Sequence, residues 1–271
     1  MKGPMSRVEA VVRKESQELW SNRPLVYSFV VLVLFFVITP VVLLLVIGKF
    51  SPEELQPAET SPAVAQLARL VPGLEEMPPA DQAAIVVVRH FVLIFLVLPV
   101  IGALGSSTSS IVGEKQSRSM EPVLATPVTT LELLVGKSLA TVSLAVSGTW
   151  FGFLLYSVLV LWVSGPAILR TALDATSLMM VFLLTPLISL LGLGTGVVIS
   201  SRVSDSRSAQ QIGGLLVLPI VMLIVGQMAG LFVLGPGATV VAGVILLLLD
   251  LLVMVLGVRV FDREKIIAQW K

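Results

Sequence analysis

The chain has 271 residues, 56% of them hydrophobic and 13% charged, with a mean hydropathy of +0.99. That composition lies far outside the range of soluble domains. The formal net charge is +1 and the bases are spread along the sequence, which excludes nucleic-acid binding. With no cysteine there is no disulfide framework and no thiol chemistry.

The expected fold class is an all-α integral membrane protein with six transmembrane helices. Residues 1–24 come first. Val8, Val11, Val12 and Leu19, with Trp20 adjoining, share one helical face, while Arg7, Arg13, Lys14 and Glu18 take other positions. The pattern predicts an amphipathic helix lying in the membrane interface, either as an anchor or with its charged face turned to a partner. The domain 25–258 then holds apolar runs at 25–48, 91–112, 138–163, 175–200, 212–234 and 238–258. Each suits a span, because a helix rising ~1.5 Å per residue needs about 20 residues to cross the hydrocarbon. Nothing gives these helices the polar faces of a soluble bundle. The first run is too long for the apolar region of a signal peptide, and no small-x-small cleavage site follows it.

The segment 50–88 between the first two spans is polar and rich in proline. Ser61 followed by Pro62 predicts a short helix ending near Pro72 and Gly73, and Asp81 opens the helix that becomes the second span. The segment is too small for a core of its own and reads as a lid or cap. Further on, Pro99, Pro186 and Pro219 predict kinks. Gly192, Gly194 and Gly196, and the GxxxG pair Gly226 and Gly230, predict close approach of helix backbones. Gly235-Pro236-Gly237 fits either a tight turn or the middle of a re-entrant helical pair spanning 226–240. A tail, 259–271, closes the chain. There is no internal repeat, the signature of an inverted-repeat secondary transporter.

Six spans put both termini on one side. Fourteen of the 18 Lys and Arg residues fall on that side, and only Lys49, Arg69, Arg89 and Arg170 fall on the other. The positive-inside rule therefore places both termini and the loop 113–137 in the cytoplasm of a multi-pass plasma-membrane protein.

Residues for catalysis are scarce. His90 is the single histidine, and neither HExxH nor GxSxG occurs. Beside Arg89 at the outer end of the second span, His90 reads as interfacial packing. Gly136-Lys137-Ser138 imitates the end of a phosphate-binding loop, but Leu131 stands where such a loop needs glycine. The chain is therefore expected to bind no ATP, metal or other cofactor itself. Asp250 is the one acid deep inside a span. An acid at mid-helix costs about 2.5–3.5 kcal/mol on insertion scales, so it should face the bundle or water. It reads as a packing acid or, with Gln227, as a candidate pathway group.

The loop 113–137 carries acids, bases and two prolines between long apolar segments. Ser119 can cap a short helix through Met120, Glu121, Pro122, Val123, Leu124 and Ala125, which Pro127 stops. Thr129 with Glu132 makes a capping box that launches the third span. Met120, Val123 and Leu124 then form a short apolar knob on the cytoplasmic surface.

Glu114-Lys115, then Met120-Glu121-Pro122-Val123-Leu124-Ala125-Thr126-Pro127, then Gly136-Lys137, resembles the signature of type-2 ATP-binding-cassette (ABC) exporter permeases. Arg118-Ser119-Met120 stands where that signature has a Gly-Thr step, and Val123-Leu124 where paired leucines are common. The six spans, the N-terminal helix and the closing Phe261-Asp262-Arg263-Glu264-Lys265-Ile266 extend the likeness over nearly the whole chain. The resemblance implies a non-catalytic subunit that dimerises, each copy docking a separate nucleotide-binding ATPase that holds ATP and Mg²⁺. The loop helix would be the coupling helix, with Glu114, Lys115, Met120, Glu121, Pro122, Val123, Leu124, Pro127, Gly136 and Lys137 as its coupling residues. From other classes, an ion-coupled transporter or sodium or proton extrusion subunit using Asp250, and a membrane tether for a partner, remain open.

Overall fold

The computed structural model describes residues 4–51, 62–117, 130–203 and 206–260. Among these residues every regular element is helical: α1 (Pro4–Ser21), α2 (Arg23–Ile47), α3 (Pro62–Ala68), a 3₁₀ turn at Leu74–Glu76, α4 (Pro79–Phe95), α5 (Val97–Ser117) and α6 (Thr130–Ala172). There follow α7 (Ala175–Met179), a π-helical turn at Met180–Leu184, α8 (Thr185–Arg202), α9 (Ser206–Gly214), α10 (Val217–Met228) and α11 (Pro236–Val260). Arg23–Ile47, Pro79–Thr108, Val135–Ala172, Ala175–Ser200, Arg207–Met228 and Pro236–Leu256 are each long and apolar enough to cross a membrane. This is an all-α integral membrane fold.

The prolines act as the sequence predicts, each breaking the helix beside the carbonyl four residues back. Ahead of Pro99 the second span breaks at Leu96, between α4 and α5. Ahead of Pro186 the fourth span loosens into the π-helical turn, which shifts the register past the blocked carbonyl. Ahead of Pro219 the fifth span breaks at Leu215 and Leu216, where the amides of Leu215 and Leu216 bond three residues back, to Ile212 and Gly213. The sequence reading placed no break at Gly165. There φ is +81°, a conformation that suits glycine, and Pro166 follows, so α6 changes direction at this point. From Thr130 to that break α6 runs about 50 Å at ~1.5 Å per residue, longer than the ~30 Å hydrocarbon, so it projects beyond the membrane.

The second span lies at the centre and is the most enclosed of the six, while α11 is the least. Phe95 packs on Phe153 and Tyr156 of α6 at ring separations of 6.0 and 5.2 Å. The Tyr156 hydroxyl donates to the Val88 carbonyl at 3.0 Å, so this large buried ring leaves no polar atom unsatisfied. Gly192 lets α8 approach the Val100 backbone of α5, Gly196 faces Ser107 of α5, and Gly194 receives Val253 of α11. These three glycines do what the sequence predicts.

Gly226 and Gly230 do not. Gly226 faces the Phe232 ring, and Gly230 lies past the end of α10 with φ +69°, against Pro62 of α3. Residues 229–235 connect α10 to a continuous α11, so the chain turns here and makes no re-entrant pair. The described part of the segment ahead of the second span has no interior of its own and packs into the main core. Val64, Leu67, Val71 and Leu74 join the core formed by Ala84, Ile85 and Val88, and Gln66 Nε2 donates to the Gly230 carbonyl at 2.7 Å.

Candidate functional site

The loop predicted to meet a partner enters the third span at Thr130, the first residue of α6. Met120, Glu121, Pro122, Val123, Leu124 and Pro127 lie outside the described residues, as does Thr129 of the capping box. Glu114 and Lys115 sit on the last turns of α5. The described remainder is a platform built from α1 and the base of α6.

The apolar face of α1 packs on α6, a contact that the sequence reading did not foresee. Val11 stands against Gly136, whose missing side chain makes room for it. Glu15 and Leu19 follow on the same face and are buried, whereas Trp20 is exposed. Two ion pairs flank the contact. Arg7 Nη2 lies 3.4 Å from Glu132 Oε1, and Lys137 Nζ donates to Glu15 Oε1 at 2.8 Å. Glu132 is thus engaged with α1. Lys137 and Glu15 keep only 9% and 4% of their side-chain surfaces exposed. A pair so buried is charge-assisted and desolvated together. Among the exposed positions of α1 are Glu9, Arg13, Lys14, Gln17 and Glu18, with Lys14 and Glu18 paired at 3.2 Å one turn apart. Sequence reasoning missed Glu15. A lone acid four residues after Val11 and four before Leu19 was the available signal.

A second polar group lies at the other end of the bundle. Arg89 was counted with the outer loop charges, and its neighbour His90 as interfacial. Both are buried in α4. Arg89 Nη1 stands 3.1 Å from Asp174 Oδ2, tying the second span to the start of the fourth. Asp174 also caps α7, accepting from the Ser177 amide at 2.9 Å and the Ser177 hydroxyl at 3.0 Å. Burial pulls the Asp174 carboxyl upward, but the Ser177 bonds and the Arg89 charge outweigh it and hold it below the usual aspartate value. His90 Nδ1 meets the Val86 carbonyl at 2.7 Å, and its ring faces the backbone carbonyl of Gln227 on α10. His90 Nε2 and Gln227 Oε1 are buried without a hydrogen-bond partner.

Asp250 and Gln227, taken together from the sequence as one candidate pathway pair, belong to separate places. Gln227 is next to the last residue of α10 and faces the second span, whereas Asp250 lies about 21 Å along α11 at ~1.5 Å per residue. Gly243 faces Leu183 and Leu184, and Val253 faces Gly194, which sets the stretch of α11 around Asp250 alongside α8. Both Asp250 carboxyl oxygens are buried and have no hydrogen-bond partner. Among the described residues no cluster of His, Asp or Glu could hold a metal ion.

Residues 10–252 match the family described as ABC-2 family transporter protein. The chain belongs to the ABC-2 transporter family. That match runs from within α1 to within a turn after Asp250, so it takes in the Glu15–Lys137 pair, the loop, the first five spans and most of the sixth. No curated protein and no solved structure matches the chain. The ABC-2 assignment and the six apolar helices make this a multi-pass membrane protein of the ABC permease type.

Proposed function

We propose that this ABC-2 chain is the transmembrane subunit of an exporter that moves substrate out of the cytoplasm, driven by ATP hydrolysed on a separate nucleotide-binding subunit. The family match over residues 10–252 carries the reading. In this arrangement ATP and Mg²⁺ stay with the partner, both termini lie in the cytoplasm of the plasma membrane, and two permease chains form a homodimer. Met120 to Thr126 would seat in the ATPase. The platform supports a mechanical role for that contact, because the loop runs directly into α6 and α6 is tied to α1 by the Glu15–Lys137 and Arg7–Glu132 pairs. A push on the loop would then reach α1 and the base of the third span together.

Changing Val123 and Leu124 together to aspartate tests this, since buried apolar anchors dominate interfaces of this kind. The expected result is loss of co-purification with the ATPase subunit and loss of ATP-driven export, with membrane insertion unchanged. Full co-purification and export by the double variant would overturn the docking assignment.

The partnerless carboxyl of Asp250 favours a second reading, in which the chain extrudes sodium or protons. Asp250→Asn keeps the shape and removes ionisation. With a packing role, export continues nearly unchanged in that variant. Collapse of export with ATPase coupling intact would reverse the order of the two readings.

A further inference from the structure

A chamber of about 670 Å³ opens between α2, α5, α6 and the broken fifth span. Its volume falls in the range of roughly 300–1,000 Å³ typical of small-molecule sites. Along α2 its wall runs from Asn22 to Leu32, about 15 Å of helix, or half the ~30 Å thickness of the hydrocarbon. Polar groups gather at the end nearest α1: Asn22 at the start of α2, Ser106 late in the second span, and Gln210 early in the fifth. Farther in, Phe29, Leu32, Val100 and Val217 make the wall mainly apolar, and the one hydroxyl among them, that of Ser28, donates to the Leu25 carbonyl of its own helix. None of the described lining residues is charged.

Two lining glycines show that this space is not a packing seam. A glycine in a membrane helix ordinarily admits a neighbouring helix, as Gly192 and Gly196 do. At Gly105 and Gly214 an added Cβ would meet nothing within 4 Å. Their missing side chains face open space, and Gly214 immediately precedes the break in the fifth span.

We propose that this chamber binds a single-chain amphiphile with an uncharged polar head, held in the leaflet on the α1 side, and that this is the cargo class. The cargo role rests on the export reading above. Moving an alkyl chain from lipid into an apolar wall gains little, so discrimination falls to the head. Gln210 offers an amide donor and acceptor and Asn22 its amide N–H groups, its Oδ1 capping α2 at the Leu25 amide, while Ser106 Oγ, which donates to the Gly102 carbonyl, can accept. An ionised head would find no counter-charge among the described lining residues and would lose its hydration.

The full chain in nanodiscs can be photolabelled with three probes sharing one diazirine-bearing alkyl tail: a monoacylglycerol, a lysophosphatidic acid and an alkyltrimethylammonium. The monoacylglycerol should label peptides from α2 and from 206–217 about ten-fold more than either charged probe, a ratio equivalent to one good hydrogen bond. Gly105→Leu and Gly214→Leu, on different helices, should each remove that labelling. Gly237→Leu, which also enters open space but on α11, should leave it unchanged. Equal labelling by charged probes overturns the proposal, and so does undiminished labelling of the filled variants. Cross-links from the chamber to a second copy of the chain would make it a subunit contact and also overturn it. The probe comparison needs no variant, so it decides the matter even where a leucine disturbs folding. Labelling needs neither ATP nor the ATPase. Persistence of labelling in the Val123→Asp, Leu124→Asp chain therefore separates failure of this proposal from failure of the docking assignment.

Discussion

Lys137→Met is expected to detach α1 from the base of the third span. The substitution preserves the alkyl stem but removes the cation that Glu15 faces at 2.8 Å in a buried site. Breaking a buried ion pair from one side costs about 3–5 kcal/mol, because the remaining charge stays desolvated. Glu15→Gln should act in the same direction. The exchange Glu15→Lys with Lys137→Glu should recover most of the loss, since both charges are again compensated. The chain has no native cysteine, so a single Val11→Cys reports the contact cleanly. Half-buried against Gly136, it should react slowly with a maleimide in the parent chain and rapidly in the Lys137→Met background. Equal rates in the two backgrounds would show that the ion pair does not hold α1 in place. In the proposed exporter the same variant should keep ATPase docking but transmit it poorly, because the loop would move α6 without α1.

Asp174→Ala should be the most damaging single change at the other end of the bundle. It removes the counter-ion of Arg89, whose side chain keeps only 4% of its surface exposed, and also the cap of α7. The orphaned guanidinium accounts for about 3–5 kcal/mol, and the lost cap for about 1 kcal/mol more. Arg89→Met should be milder, because Asp174 is one-third exposed and can be hydrated. The sign of the pH dependence follows from the Asp174 shift. Its carboxyl titrates below the ordinary aspartate value in the folded chain, so the unfolded chain takes up the proton first. The stabilisation is complete above about pH 4, the ordinary aspartate range, and is lost as the pH falls through the lower folded value. Thermal unfolding of the purified chain should therefore show an acid-side loss of stability that Asp174→Asn removes. An unchanged acid limb in that variant would mean that other carboxylates govern it.

The loop signature and the spans needed no tertiary information, for different reasons. A membrane span must satisfy its backbone hydrogen bonds within one helix, so length and apolarity alone reveal it. The family likeness rests on a contiguous motif, Met120 to Pro127 between Glu114-Lys115 and Gly136-Lys137, which a linear reading can see. The proline breaks before Pro99, Pro186 and Pro219 were legible as well, because the lost donor and the steric clash are local.

What each helix face meets was not legible. Val8, Val11 and Val12 look the same whether the apolar face rests on lipid or on α6, since both are apolar surroundings. Only the position of Gly136 and the Glu15–Lys137 pair decides it. A glycine likewise reads identically whether it admits a neighbouring helix, as Gly192 does, turns the chain, as Gly230 does, or opens a chamber, as Gly105 does. Arg89 and Lys137 were counted as flanking charges because their partners, Asp174 and Glu15, lie 85 and 122 residues away along the chain. Composition and local pattern determined which segments enter the membrane and where they bend. Pairing between distant charges, and the purpose of each missing side chain, depend on contacts between spans, and only the folded bundle decided those.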